Sequence, residues 1–258
     1  MRKNKMMRAA SALMVAVLLT TCTISGTFAK YVTTAEGKDT ARVAKWGVEV
    51  VGMADTLFAQ EYDSGKVKVG TADVKDLVAP GTTNTTGVTF GIEGQPEVAV
   101  KVKFEVTKSD DKTKAPVEVY LPAGTYTDYT KTTGLESDGT AKYGNTFTVA
   151  DPGYYPVVFT LKDNNGNEVK KGTLAEIKAY LEGAEVSKEY PANTDLSTTI
   201  GKYTLTWAWA FGSADFGTIA DVDRADTYLG NVAAKTVTDE KAITNIDFAI
   251  AITVEQVD

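Results

Sequence analysis

Four aspartates, Asp215, Asp221, Asp223 and Asp226, fall within twelve residues of one another. Asp221, Asp223 and Asp226 in a loop place carboxylates at a spacing that suits calcium, which takes about 6–8 oxygen ligands. The run lacks the central glycine and the terminal bidentate glutamate of an EF-type loop. Its competing reading is a solvated acidic loop whose last member, Asp226, caps a helix. Trp207 and Trp209 stand two residues apart, either a stacking platform for a sugar or two core rings. Leu121-Pro122-Ala123-Gly124-Thr125 looks like a cell-wall sorting signal, but its Gly and Thr are in the wrong order and no apolar tail follows.

Other chemistry is excluded by composition. There is no histidine, and the single cysteine is Cys22. A His-Glu-x-x-His zinc site, a Ser-His-Asp triad and a Cys-His pair are all unavailable. No glycine-rich phosphate loop joins a strand to a helix. Carboxylate or Ser-Lys chemistry remains, and no spacing marks either. The expectation is a protein without catalytic residues or cofactor.

The elements that must carry these residues are read from period-two alternation. Val98, Val100, Val102, Phe104 and Val106 share one face of a strand, with mostly polar or small residues between them. Ile246, Phe248, Ile250, Ile252 and Val254 repeat the pattern, as do Tyr203, Leu205, Trp207, Trp209 and Phe211. Trp46, Val48 and Val50, then Val88, Phe90 and Ile92, then Tyr155 to Leu161 add three more, Pro156 marking an edge or a strand entry. Alternation with one wet face favours antiparallel sheets. Turn chemistry separates the strands at Ala79-Pro80-Gly81, Asp151-Pro152-Gly153 and Asp163-Asn164-Asn165-Gly166-Asn167. Thr173 to Glu176 is a capping box that opens a helix with Leu174, Ile177 and Leu181 inward and Gly183 at its end. A second, shorter helix is expected over Ala225 to Ala234, capped by Asp226, with Leu229 and Val232 inward. The fold class is mainly β, an antiparallel β-sandwich with one or two short helices in insertions. Residues 41–258 read as a single domain with an irregular insertion around 107–200.

The N-terminus has the order of a secretory leader. Arg2, Lys3, Lys5 and Arg8 precede an uncharged run from Ala9 to Ala29, whose strongly apolar heart is Ala12 to Leu19. That heart is shorter than the roughly 20 residues a membrane span needs, so no stable span is expected after processing. A retained anchor, or lipid attachment at Cys22, is the alternative; cleavage between Ala29 and Lys30 fits better. The leader holds four of the 27 basic residues and none of the 34 acidic ones, leaving 23 against 34, a net charge of −11. Such a surface disfavours nucleic acid and anionic lipid. The expected location is outside the cell.

The segment Gly26-Thr27-Phe28-Ala29-Lys30-Tyr31 resembles the processing site of the TasA/camelysin-like family of secreted Gram-positive proteins. Ala41 to Val50 sits where that family has its first core strand. Leu77-Val78-Ala79-Pro80-Gly81 before Val88 to Ile92 resembles its Pro-Gly turn, and Val98 to Val106 its next strand. Tyr203 to Phe211 and Ile246 to Val257 resemble its last strands, and Asp226-Thr227-Tyr228-Leu229-Gly230 is similar to clostridial members. The resemblance implies a jelly-roll-like sandwich, cleavage by a SipW-type signal peptidase, and self-association into biofilm-matrix-type fibres by donor-strand exchange. In that reading Lys30 to Thr40 is the flexible mature terminus, and Tyr31, Val32, Thr33 and Thr34 are the strand lent to a neighbour's sheet edge. The camelysin group also implies a metallopeptidase, against which the missing histidines stand. A monomeric surface module for adhesion or binding is the rival from another class.

Overall fold

A computed structural model describes residues 42–52, 57–58, 62–63, 68–69, 76–127, 131–135, 141–211 and 219–257. The strands are β1 (Val48–Val51), β2 (Tyr62–Asp63), β3 (Lys68–Val69), β4 (Thr83–Gly94), β5 (Val100–Thr107), β6 (Gly124–Thr127), β7 (Lys131–Leu135), β8 (Ala141–Tyr143), β9 (Thr146–Val149), β10 (Val157–Lys162), β11 (Glu168–Gly172), β12 (Glu189–Tyr190), β13 (Lys202–Trp209) and β14 (Ala249–Gln256). Helices are α1 (Leu174–Glu182), α2 (Leu196–Thr199) and α3 (Ile219–Ala233). The protein is mainly β and its sheets are antiparallel. One sheet has the order β1-β4-β13-β10-β11 and a second the order β12-β5-β14; β2-β3, β6-β9 and β7-β8 form separate pairs.

The two larger sheets turn their alternating apolar faces toward each other. Phe104 of β5 meets Phe90 of β4 at 6.4 Å and Tyr203 of β13 at 6.1 Å, and Phe159 of β10 meets Phe248 at 6.2 Å. Burial of such rings, each worth several kcal/mol if truncated, is the main source of cohesion in a chain with one cysteine. The Asn-Gly turn works as its residues require. Asp163 accepts hydrogen bonds from the Asn165 and Asn167 amides, and β10 pairs with β11 across it. Helix α1 opens on the expected reciprocal cap between Thr173 and Glu176, and buries Leu174, Ile177 and Leu181. Gly183 ends it with an extended backbone rather than a left-handed one.

Several expectations are corrected. Val157 to Gly172 is no part of an insertion: β10 and β11 are two strands of the five-stranded sheet, β10 lying between β13 and β11. Pro156 stands just before β10, a strand entry in the sheet's interior. Phe211 is not on the buried face, because β13 ends at Trp209; it is 53% exposed. Trp46 and Val50 are exposed at 43% and 44%: Trp46 precedes β1, and β1 is the edge strand of the five-stranded sheet. The second helix starts at Ile219, six residues before its expected start.

Candidate functional site

The three-stranded sheet treats its two sides differently. On one side of β5, Val102 donates its N–H to the Lys188 carbonyl at 2.9 Å, Phe104 to Ser187 Oγ at 2.9 Å, and Val106 to Glu182 Oε1 at 2.8 Å. Lys178 Nζ donates to the Val106 carbonyl at 2.8 Å and forms an ion pair with Glu182. Helix α1 and the chain after it therefore cap that edge. Because Val102, Phe104 and Val106 point their amides to this side, Lys101, Lys103, Glu105 and Thr107 bond to β14. Their partners are Glu255, Thr253, Ala251 and Ala249.

The alternate residues of β14 must then aim their backbone groups outward. Ile250, Ile252 and Val254 present N–H and C=O groups on a side where, among the described residues, no strand lies. Their side chains lie opposite Val106, Phe104 and Val102 on the inner face, yet are only half-buried. Ile246 and Phe248 extend this strip. An edge strand with free backbone groups and a partly covered apolar face is a template for another strand.

The chain enters the fold close to the end of that strand. Lys45 N–H donates to Glu97 Oε2 at 2.8 Å and the Glu97 N–H to the Lys45 carbonyl at 3.0 Å. Two residues on, the Ala99 carbonyl accepts from Val257 N–H at 2.9 Å. Gly47 is left-handed (φ +54°), and a Cβ there would meet the Gln95 carbonyl oxygen at 2.8 Å. A Cβ on Gly94 would run into the Gly47 carbonyl. Backbone packs on backbone at this corner, which only glycine permits.

The acidic run is elsewhere and is not a loop. Asp221, Asp223 and Asp226 all lie on α3, and Asp215 falls outside the described residues. Asp221 pairs with Arg224 at 3.4 Å, and Asp223 is exposed. Asp226 is no N-cap: inside the helix, its Oδ1 accepts from Tyr154 Oη at 2.7 Å and Trp209 Nε1 at 3.1 Å. Burial pushes its carboxyl up to about 6, with Asp223 adding to the rise and the two hydrogen bonds opposing it. Among the described residues no group of three or more metal-ligating side chains converges. A cleft of about 240 Å³ beside α3 is lined by Phe147, Tyr154, Asp221, Val222 and Ala225 among others. Trp207 and Trp209 are core rings, 2% and 6% exposed, so they offer no sugar platform.

Glu118, unmarked in the sequence, is a buried carboxylate, whereas Asp226 is half-buried. It accepts from the Leu174 and Ala175 amides at the start of α1, and burial raises its pKa against those bonds. Of the residues singled out earlier, Ala29, Lys30, Tyr31, Val32, Thr33 and Thr34 lie outside the described residues. The open side of β14 was not legible, since its alternation is identical in kind to that of β5. Among the described residues no helix is long and apolar enough to cross a membrane. No family model, curated protein or solved structure matches the chain.

Proposed function

We propose that this is a secreted structural protein that assembles into extracellular, biofilm-matrix-type fibres. Each copy lends Lys30 to Thr40 to the next, with Tyr31, Val32, Thr33 and Thr34 as the inserted strand. The observation that carries the reading is the outer side of β14, where among the described residues the backbone groups of Ile250, Ile252 and Val254 have no strand partner, above a half-covered apolar strip. A β-prone segment added there gains main-chain hydrogen bonds and covers the strip. Donation from copy to copy is a heterologous contact that does not close, so it propagates a filament. The proposal keeps the TasA/camelysin-like resemblance, its jelly-roll connectivity, and cleavage between Ala29 and Lys30 by a SipW-type signal peptidase. It assigns no catalytic role.

Negative-stain electron microscopy of the mature protein tests it, with and without residues 30–40. Filaments from the full mature chain that vanish on truncation are expected. Monodisperse particles in both samples sink the proposal in favour of a monomeric adhesion or binding module. Sequencing the secreted N-terminus checks that Lys30 is the first residue.

A further inference from the structure

We infer that two copies of this chain join β14 to β14 about a two-fold axis through Ile252, in a closed dimer. The hydrogen-bonding phase of the strand is self-complementary. Backbone groups of Asp247, Ala249, Ala251, Thr253, Glu255 and Val257 turn to one side, where Val117, β5 and Ala99 take them. Those of Ile250, Ile252 and Val254 turn to the other, where among the described residues they meet no backbone partner. A two-fold axis at Ile252 sets Ile252 against itself and Ile250 against Val254. Outward groups then face outward groups, and each opposed pair can exchange both of its hydrogen bonds. A shift of one residue would set them against Ala251 and Thr253, whose groups β5 already holds.

The side chains agree with that register. On the inner face Ile252, paired with Phe104 of its own β5, meets its counterpart, and Ile250 meets Val254, so each half-buried strip covers the other. On the outer face Glu255 pairs with its own Lys101 and lies opposite the small Ala249 of the partner subunit, and Thr253 lies opposite Ala251 of the partner subunit. The two copies of Glu255 stand about 20 Å apart along the strands, so no like charges oppose each other across the join. An isologous join uses one patch twice and cannot propagate. It covers the edge that the fibre reading gives to the lent strand, and would hold subunits out of filaments until that strand displaces the neighbouring β14. The dimer itself does not depend on that reading.

Cysteine cross-linking tests the register in a Cys22→Ser background, which leaves no other thiol. Opposed residues that exchange both bonds have Cα atoms about 5.5 Å apart, within the span of a disulfide. Ile252→Cys is expected to give mostly covalent dimer under mild oxidation, and Ala249→Cys, opposite Glu255, to give little. In sedimentation equilibrium the wild-type chain should dimerise. Val254→Pro should weaken the dimer about tenfold or more, since proline removes an outward N–H that no strand of its own subunit uses. A monomeric wild-type chain, Ile252→Cys that stays uncross-linked, or Ala249→Cys that cross-links equally well overturns the dimer. Filaments from the mature wild-type protein in that case leave the fibre reading standing, whereas a cross-linked dimer without filaments removes the fibre reading alone.

Discussion

Strands β5 and β14 are hydrogen-bonded neighbours with the same alternation, yet they live in different surroundings. β5 has a strand on each side, and where β12 stops short, Ser187 and Glu182 take over its amides. β14 has β5 on one side and, among the described residues, no strand on the other. Proteins usually blunt a sheet edge with short strands, charge or a covering helix. Here those devices are spent on the β5 side. The difference teaches that exposure at β14 is selective, since the same sheet shows how an edge is closed.

The directly opposed pair Phe104 and Ile252 sharpens this contrast most. Phe104→Ala should cost about 3–5 kcal/mol, a drop of roughly 10 °C in melting temperature, whereas Ile252→Ala should cost about 1–2 kcal/mol. Equal losses in thermal unfolding would mean that β14 is as well covered as β5. Next in size is the side-chain cap. Glu182→Ala strips the Val106 amide of its acceptor and Lys178 of its ion-pair partner, and should destabilise by about 2 kcal/mol in urea titration. A neutral result would show that the α1 side chains do not close that edge.

Covering a surface has its own cost, and Asp226 on α3 measures it. Its folded pKa of about 6 exceeds the ordinary 3.8, so the folded state holds the proton more tightly. The stabilisation is complete below pH 3.8 and is lost as pH rises through about 6. Between pH 5 and 7.5 linkage gives a loss on the order of 1 kcal/mol. Asp226→Asn keeps an acceptor for Tyr154 and Trp209 and removes the charge. The wild-type minus variant difference in unfolding free energy should fall by that amount over the window; a flat difference would place Asp226 in a wetter setting.

Much of this fold was legible because the signals were local. The Asn-Gly turn and the Thr173–Glu176 cap each depend on residues a few positions apart and appear as expected, and the alternation at Val100 to Val106 does too, with the strand starting two residues after Val98. Alternation reports which face a side chain takes, but not how many neighbours its strand has. That is why Val50 and Ile252 read as core and stand on edge strands. Asp226 read as a cap because the last aspartate of an acidic run before Leu229 and Val232 has that look. Its true partners lie 72 and 17 residues away, a separation no local pattern encodes. The proposed donor segment comes from the leader and the resemblance, and the proposed acceptor strip only from the strand order.

The glycine-tight corner has a mechanical consequence. In the proposed fibre, a pull on the lent segment would enter the subunit at Lys45. The first bonds to meet the load are the two to Glu97, and the next are the four-residue ladder of β1 on β4, backed by the contact of Gly47 with Gly94. Tension along such a filament would thus be carried into the five-stranded sheet through a short clamp of main chain, and that clamp would set the force at which a link gives way.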